Sequence, residues 1–306
     1  MKARRFNEGV CNHIYQRTIN RFNIFYDLTD YIVYYTIFSV AAQKYDVIVL
    51  GLCLMIDHIH MLVTSRKRKI LSDFVSYVSS VFVREYNSSI GRQGPLFEER
   101  FGSAPKMDKK KLISAIIYLG NNPVEKHICL KAEQYRWNFI AYLNSEHPFS
   151  DKLPRKKMTF RLRKVIYTVD WYHARGRYLN HTILRRMMDR MTSAERNHLT
   201  DYIISKYNVI SINGLKRYFD TYEQLLTSLH STTGSEYELK EELDRSSDSV
   251  YREMILEMRK IFGNDVRRSI VCISEEKFEL ADHLRHKTAA SLRQIFKFLH
   301  IIEGER

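Results

Sequence analysis

Two histidines, His58 and His60, are separated by a single isoleucine at the head of an apolar run. Side chains alternate between the two faces of a β-strand, so both imidazoles would point to the same side. Both imidazoles could then reach one common partner. Such pairs also occur by chance, and a strand can carry two half-exposed histidines for no chemical reason, so the rest of the sequence has to decide between these interpretations.

A second pair of residues, Tyr118 and Asn122, is four residues apart in a segment with helical periodicity. Asp108 is a candidate N-cap for a helix that begins at Lys109, and Pro123 predicts that this helix ends near Asn122. Residues four apart lie on the same face of a helix, so a hydroxyl nucleophile and a neutral oxygen ligand would be neighbours. The alternative is a buried tyrosine followed by an ordinary helix end.

Hydrophobic patterning and capping signals predict the elements that must position these residues. Thr29 is a candidate N-cap, and the apolar residues that follow it recur with helical spacing. Alternating or β-branched runs predict strands, and their order with the helices indicates an α+β fold. The predicted elements are a strand at about 13–18, a helix at 29–44, strands at about 46–55 and 58–63, a helix at about 71–86, a short strand or extended segment at 96–101 and a helix at 109–122.

The composition favours a folded protein with a polyanionic partner. Of the 306 residues, 44% are hydrophobic and 12% are aromatic, and 49 Lys and Arg against 35 Asp and Glu give a formal net charge of +14. The length suits two domains, and the charge favours nucleic acid or an anionic membrane surface. No segment approaches the roughly 20 apolar residues of a membrane-spanning helix, so the membrane is the weaker alternative.

The N-terminus and the cysteines indicate a reducing, cytoplasmic environment. Met1–Arg5 is basic but is not followed by the apolar core of a signal peptide. The cysteines are far apart in the sequence and include no Cys-x-x-Cys pair, so they predict neither a zinc knuckle nor a disulfide framework. These cysteines are Cys11, Cys53, Cys129 and Cys272. We expect a cytoplasmic prokaryotic protein that associates with the nucleoid when it binds DNA.

Four motifs together resemble the Y1 transposases of the HUH nuclease superfamily, in particular the REP-associated tyrosine transposase or IS200-like group. Their order and approximate spacing are similar to those of the family over about residues 1–148. The motifs are Leu54–Val63, Leu96–Phe101, Ile117–Val124 and Tyr135–Trp137. The resemblance therefore predicts an HUH nuclease domain at residues 1–150, with a ferredoxin-like antiparallel sheet and helices on one side of it.

The resemblance also implies a site and a reaction. His58, His60 and Asn122 match the family positions that hold one divalent cation, usually Mg²⁺ or Mn²⁺, and no nucleotide cofactor is implied. Tyr118 matches the catalytic tyrosine, which attacks a DNA phosphodiester and leaves a 3′-hydroxyl and a 5′-phosphotyrosine. Neutral ligands leave the cation most of its charge, which suits a phosphodiester substrate. The covalent intermediate keeps the phosphodiester energy, so rejoining needs no ATP.

The chain departs from the family pattern at two places. Ile56 and Asp57 stand where the family commonly has Pro-Asn or Pro-Glu, and Asn138 and Phe139 follow Trp137 where two serines are usual. Asp57 is either a turn residue or an additional carboxylate that faces the metal. Neither departure removes a catalytic group, but both leave the local DNA contacts open.

Beyond residue 150 the sequence predicts a basic linker or DNA-contacting segment at 151–190 and a helical domain at 191–306. Aromatic residues interleave with the charges of the basic segment, as in surfaces that stack unpaired bases, although such residues are as often part of a core. These aromatics are Tyr167, Trp171, Tyr172 and Tyr178. Helices are predicted at about 193–206, 212–229, 249–262, 275–285 and 291–299, and the last two resemble a DNA-binding helix-turn-helix.

Basic and polar residues in three parts of the chain are candidate DNA contacts. Lys111 lies about two helical turns before Tyr118 and would either bind phosphate or assist loss of the phenolic proton. The candidates are Arg17, Arg100, Lys111, Lys156, Lys157, Arg161, Arg163, Ser291, Arg293, Gln294 and Lys297. The partner is expected to be single-stranded or hairpin DNA, such as a repeat.

The sequence thus predicts a metal-dependent single-stranded DNA endonuclease and transposase that acts through Tyr118. Two alternatives stay open: a DNA-binding regulator that kept the fold without catalysis, and a replication-initiator or relaxase-like HUH nuclease. The spacing of Tyr118 and Asn122 favours the Y1 group over the last alternative. A homodimer that exchanges the tyrosine helix is a further expectation, in which Tyr118 would serve the histidines of a partner chain.

Overall fold

A four-stranded antiparallel sheet forms the centre of the N-terminal half in the computed structural model, which describes residues 6–231 and 248–302. The residues 1–5, on which the expectation about a signal peptide partly rests, lie outside the described residues. The strands are β1 (Cys11–Arg17), β2 (Ile48–Leu54), β3 (His58–Thr64) and β4 (Gly102–Lys106), in the spatial order β2-β3-β1-β4.

Three helices accompany the sheet: α1 (Leu28–Lys44), α2 (Arg68–Ile90) and α3 (Lys109–Glu125). The chain order β1-α1-β2-β3-α2-β4 with this strand arrangement is the ferredoxin-like topology, so the predicted α+β fold is confirmed. The register pairs Tyr15 with His60 and Arg17 with His58.

The two faces of the sheet contact different helices, so the expectation of helices on one side alone is wrong. Gln16 of β1 donates from Nε2 to Oγ of Ser79 in α2 at 2.8 Å, which places α2 on the face of the even-numbered β1 residues. Helix α3 packs on β2, β3 and β4, where Leu119 contacts Gly51. His13 is an odd-numbered residue of β1 and therefore lies on the face opposite to Gln16, which is the α3 face. His58 and His60 pair with the odd-numbered Arg17 and Tyr15, so they face α3 as well.

The start of α1 differs from the prediction by two residues. Asp27, and not Thr29, is the N-cap: its carboxylate accepts from the backbone N–H of Thr29 at 2.7 Å and of Asp30 at 3.1 Å. The Asp30 carboxylate in turn accepts from the Asp27 backbone N–H, which completes a capping box. An aspartate in extended conformation satisfies the amides of the first turn, so Thr29 lies inside the helix.

The fourth strand follows directly after the segment 96–101, which was predicted as a short strand or an extended segment. That segment makes a single bridge, between Phe97 and Thr18, and the strand β4 begins at Gly102. Pro105 lies within β4 and pairs with Asn12. Proline is tolerated there because β4 is an edge strand and does not need every N–H for the ladder.

Helix α3 continues past Pro123 to Glu125, so the prediction that it ends near Asn122 is wrong. Proline disfavours helical geometry in the preceding residue but does not forbid it. The carbonyl of Asn122 accepts from the Lys126 N–H at 3.1 Å, and Asn138 donates from Nδ2 to the Gly120 carbonyl at 3.1 Å. These bonds stabilise the last turn and keep Asn122 on the helix.

The second half of the described chain is helical, as predicted. The Thr192 capping box opens a helix at 193–206, as expected, whereas the predicted helix 212–229 is two helices. The segment 151–190 contains two helices, and the division of the chain at residues 150 and 190 stays a prediction. The helices are α4 (Phe160–Ala174), α5 (His181–Met188), α6 (Ser193–Lys206), α7 (Ile212–Leu215), α8 (Tyr222–Ser231), α9 (Val250–Phe262), α10 (Ser274–Lys287) and α11 (Leu292–Leu299).

Helix α11 attaches to the loop between β1 and α1. The Asn23 backbone N–H donates to the Lys297 carbonyl at 3.1 Å, the Tyr26 hydroxyl donates to the Phe298 carbonyl, and His300 Nε2 lies 2.6 Å from the Asn23 carbonyl. Burial lowers the pKa of His300 to about 3, so its ring is neutral. The loop that receives α11 also binds the end of β2, because Ile24 N–H donates to the Ile56 carbonyl at 2.9 Å.

A buried ionic cluster joins α1, α5 and the turn before α10. Arg267 and Asp30 are both fully buried, and Nη1 of Arg267 lies 2.9 Å from Oδ1 of Asp30. Nε2 of His181 lies 2.9 Å from the same oxygen. Burial alone would raise the pKa of Asp30, but the Arg267 charge and the His181 hydrogen bond outweigh it and lower that pKa. In the described ranges, no helix combines the length and the apolar character needed to cross a membrane.

Candidate active site

The two histidines of β3 lie side by side on the face covered by α3. His58 is 7% exposed and His60 is fully buried. Their ring centroids are 5.0 Å apart and the ring planes are nearly perpendicular. The period of two along the strand therefore brings the imidazoles together, as the sequence predicted.

Asp57 orients His58. Oδ1 of Asp57 lies 2.5 Å from Nδ1 of His58. Burial opposes ionisation of Asp57, but the charge and hydrogen bond of His58 lower its pKa to about 2. If His58 is neutral, its Nδ1–H donates to this carboxylate, and Nε2 carries the lone pair. Asp57 lies in the turn between β2 and β3, which agrees with the first of the two interpretations of the sequence, and its carboxylate also holds the ring of its neighbour.

Asn122 faces the Nε2 side of the His58 ring. Its Oδ1 lies 3.5 Å from His58 Nε2, and the side chain is almost completely buried. With the Nδ1 proton on the Asp57 side, both of these atoms are hydrogen-bond acceptors. Two buried acceptors that face one another are unfavourable unless a proton or a cation lies between them, and their separation is close to that of two ligands of one cation.

His13 is a site residue that the sequence reasoning missed. Nε2 of His13 lies 3.0 Å from Nδ1 of His60, and its ring centroid is 5.9 Å from that of Tyr118. If His60 donates its Nδ1 proton to His13, then Nε2 of His60 carries the lone pair for a cation. The available signal was the place of His13 in the first predicted strand, but only the pairing of β1 with β3 brings it beside His60.

Tyr118 lies above the histidines on α3. Its ring centroid is 5.6 Å from that of His60, and the side chain is 5% exposed. Asn121, next to the candidate ligand, has a different contact: its amide donates from Nδ2 to the Leu229 carbonyl of α8 at 2.9 Å. The two asparagines therefore have different partners: Asn121 is hydrogen-bonded to α8, and Asn122 faces His58.

The side chains that could hold a cation here are two imidazoles and one amide. Among residues 6–231 and 248–302, no group of three or more His, Cys, Asp or Glu side chains is arranged as a metal site. His58, His60 and Asn122 would supply neutral nitrogen and oxygen donors only. Such a set leaves open coordination positions and a full cationic charge for a phosphodiester oxygen.

Two predicted DNA contacts, Arg17 and Lys297, lie near this site. Arg17 is the register partner of His58, and its guanidinium lies 5.5 Å from the Tyr15 ring centroid. The charges of Lys297 and Arg21 act on Asp57 and help to lower its pKa, so α11 brings a cation close to the site. Lys297 was expected to contact DNA from a helix-turn-helix; in the fold it lies on the helix that attaches beside β2 and β3.

The other predicted DNA contacts are distributed over the surface or are engaged in local structure. Lys111 is half-exposed, with Nζ 4.0 Å from Oδ2 of Asp108. Ser291 and Gln294 form the capping box of α11, and Gln294 is 7% exposed. Arg161 pairs with Asp189 at 3.4 Å. Exposed side chains belong to Arg100, Lys156, Lys157, Arg163 and Arg293. A DNA contact at each of these positions stays a prediction.

Comparison with known proteins finds a family model that matches part of this chain. Residues 8–121 match the family model described as IS200-like transposase, a range that includes both histidines and the tyrosine and ends one residue before Asn122. The chain matches no curated protein. A solved structure of a REP-associated tyrosine transposase bound to a REP hairpin is similar at 13% sequence identity and a TM-score of 0.42, over 52% of this chain and 95% of that chain.

Proposed function

We propose that this chain, whose residues 8–121 match the IS200-like transposase family model, cleaves and rejoins single-stranded DNA with Tyr118 as nucleophile. The observation that supports this most directly is the meeting of His58, His60, Asn122 and Tyr118 at one place within a single chain. An arrangement in which a partner chain supplies the tyrosine is not required by this geometry.

A divalent cation, Mg²⁺ or Mn²⁺, would be held by Nε2 of His58, Nε2 of His60 and Oδ1 of Asn122. When bound, it would polarise a phosphodiester oxygen and orient the phosphate. The residues present fit such a group, because Asp57 and His13 engage the Nδ1 atoms and leave Nε2 as the donor on both rings. Asp57 and His13 are therefore positioning residues of the proposed site.

The proposed cleavage step transfers one phosphodiester linkage. The phenolic oxygen of Tyr118 forms a bond to phosphorus and its proton is released to solvent. The bond between phosphorus and the 3′-oxygen breaks, and the leaving oxygen takes up a proton as a 3′-hydroxyl. The 5′-phosphotyrosine conserves the linkage, so attack by another 3′-hydroxyl reverses the step and joins new ends.

The basic residues around the site would bind the DNA backbone. Arg17 lies beside His58 on the neighbouring strand, and Arg21 and Lys297 act electrostatically on Asp57. Cations near the scissile phosphate neutralise its charge and fix its position, and such contacts carry no sequence information. The substrate would be single-stranded or hairpin DNA, as the resemblance of the sequence motifs implies.

The test is a covalent adduct. Wild-type protein is incubated with end-labelled hairpin DNA and Mn²⁺, and we expect a labelled band that resists denaturant and does not form in EDTA. Tyr118→Phe should reduce the adduct by at least about 10⁴-fold, because the nucleophilic oxygen is removed. Tyr77→Phe, on α2, is the matched control and should react like the wild type.

Three results would contradict the proposal in whole or in part. An adduct that persists in Tyr118→Phe would exclude this tyrosine as the nucleophile. Hairpin binding without any adduct in wild-type protein would instead favour the alternative of a DNA-binding regulator. An adduct that forms equally in EDTA would remove the cation from the mechanism.

A further inference from the structure

One face of α4 carries large aromatic side chains that are not used by the fold. Phe160 is 77% exposed and Tyr167 is 68% exposed. The buried residues of this helix are Leu162, Val165 and Val169. At about 100° per residue, Phe160 and Tyr167 lie opposite these buried residues, so they point away from the protein.

Trp171 continues the same stripe one turn after Tyr167. Two arginines lie over it: Arg175 Cζ is 4.0 Å and Arg177 Cζ is 5.5 Å from its ring centroid. Cation–π contact of this kind holds the guanidinium groups at a fixed place beside the aromatic surface. We name Phe160, Tyr167 and Trp171 the α4 stripe.

The other aromatics of this basic segment have partners in the fold. The Tyr178 hydroxyl donates to Oε1 of Glu85 on α2 at 2.8 Å, and Tyr172 packs against the hydrophobic core. These two tyrosines therefore belong to the core, whereas the α4 stripe does not. The structure thus distinguishes core aromatics from surface aromatics in this segment, which the sequence could not do.

The charges that accompany the stripe are positive. Arg163 and Lys164 are exposed and flank Tyr167 on the same side of the helix. Asp170 lies at the edge of this face and is engaged elsewhere, since Tyr202 donates to it at 2.6 Å and Lys206 Nζ lies 3.1 Å away. An exposed aromatic row bordered by cations is complementary to unpaired bases joined by phosphates.

We propose that the α4 stripe binds a segment of single-stranded DNA by base stacking, with Arg163, Lys164, Arg175 and Arg177 on its phosphates. The choice of DNA as partner rests on the proposed function; the surface itself rests on exposure and charge. The strand outside a hairpin offers both the unpaired bases and the phosphates that this surface needs. Duplex DNA hides its base faces and would use only the cations.

The experiment measures binding without cleavage. A fluorescein-labelled oligothymidylate of about twenty nucleotides, longer than one such site needs, is titrated in EDTA and followed by anisotropy. F160A/Y167A should weaken this binding about tenfold or more and leave binding of a duplex of equal length unchanged. Oligothymidylate should also quench the fluorescence of Trp171 in the wild type.

Charge and surface controls separate stacking from general effects. R163Q/K164Q should lower the salt dependence of binding, with the slope reduced by about 0.7 for each phosphate that these cations no longer neutralise. K216Q/R217Q removes the same charge from another exposed position, and Leu130→Ala removes an apolar side chain that is 88% exposed. Both controls should bind oligothymidylate like the wild type.

Two outcomes would overturn the inference. One is an F160A/Y167A variant that binds oligothymidylate as tightly as the wild type. The other is a change in sedimentation of this variant with unchanged DNA affinity, which would assign the stripe to an interface between copies of the chain. Binding of oligothymidylate is measured in EDTA, so this test can be made even if no covalent adduct forms. Conversely, if the α4 stripe does not bind DNA, adduct formation on a short hairpin is still expected.

Discussion

Two polar clusters are buried on opposite sides of the sheet, and they differ in how their groups are paired. In the α1 cluster, the Asp30 carboxylate meets the Arg267 guanidinium at 2.9 Å and the His181 ring at 2.9 Å. In the cluster beneath α3, Nε2 of His58 faces Oδ1 of Asn122 at 3.5 Å, and Asp57 holds the same ring at Nδ1. The first cluster pairs a carboxylate with a guanidinium and an imidazole, whereas the second brings together a ring nitrogen and an amide oxygen that can both bind a cation.

The difference indicates what each cluster is for. A buried carboxylate with a cation and a hydrogen-bond donor is compensated, and it holds three segments of the chain together. Neutral nitrogen and oxygen atoms that face one another suit a divalent cation, which the proposed function would place between them. We therefore expect the first cluster to control stability and the second to control chemistry.

The largest effect is expected from removal of a proposed ligand. His60→Ala should reduce adduct formation roughly 10³-fold, because the site would lose several kcal/mol of electrostatic stabilisation of the reacting phosphate. His58→Ala should act in the same way, and binding of hairpin DNA should partly remain. The rate of adduct formation is measured with Mn²⁺, and His286→Ala, an exposed histidine of α10, is the control. Unchanged adduct formation by a folded His60→Ala protein would contradict the metal role.

The second largest effect is expected on the free energy of unfolding, from the cluster of Asp30, Arg267 and His181. Arg267→Ala leaves Asp30 buried without its cation and should lower the free energy of unfolding by about 3–5 kcal/mol. Arg268→Ala, an exposed neighbour, should change it by no more than about 0.5 kcal/mol. Urea unfolding measures both. Equal stability of the two variants would show that the cluster contributes little.

This cluster should also make the stability of the protein depend on pH, with a loss of stability at acidic pH. The pKa of Asp30 is lowered below its ordinary value of 3.8 in the folded protein. The stability that it contributes is therefore present above about pH 3.8 and is lost as the pH falls through the lower folded pKa. Arg267→Ala should lose this acid-sensitive component, which urea titrations between neutral and acidic pH would detect.

The smallest of these effects is expected from the group that orients His58. Asp57→Asn keeps the shape of the side chain but removes the charge that fixes the Nδ1 proton, so the affinity for Mn²⁺ should fall about 10- to 100-fold. Electron paramagnetic resonance titration with Mn²⁺ measures this, and excess Mn²⁺ should partly restore adduct formation. Asp73→Asn, an exposed carboxylate of α2, is the control. An unchanged Mn²⁺ affinity would show that Asp57 does not position a ligand.

The local errors in the sequence prediction have physical causes. Thr29 and Asp27 are both good N-cap residues, and the choice between them depended on which side chain reached the amides of the first turn. Pro123 ends many helices, but here hydrogen bonds from Lys126 and Asn138 support the last turn of α3. The segment 96–101 has the composition of a strand, yet it makes only the bridge between Phe97 and Thr18, and the ladder with β1 begins at Gly102, whose register partner is Tyr15.

The sequence by itself determined the β-α-β-β-α order, the common face of His58 and His60, and the neighbourhood of Tyr118 and Asn122, because each follows from a local period of two or of about 3.6 residues. Only the tertiary structure brought these two pairs together, since strand register and the packing of α3 on the sheet join residues about sixty positions apart. It also added His13 through the pairing of β1 with β3, and placed α11 beside the site. Long-range packing decides such contacts, and no local pattern encodes them.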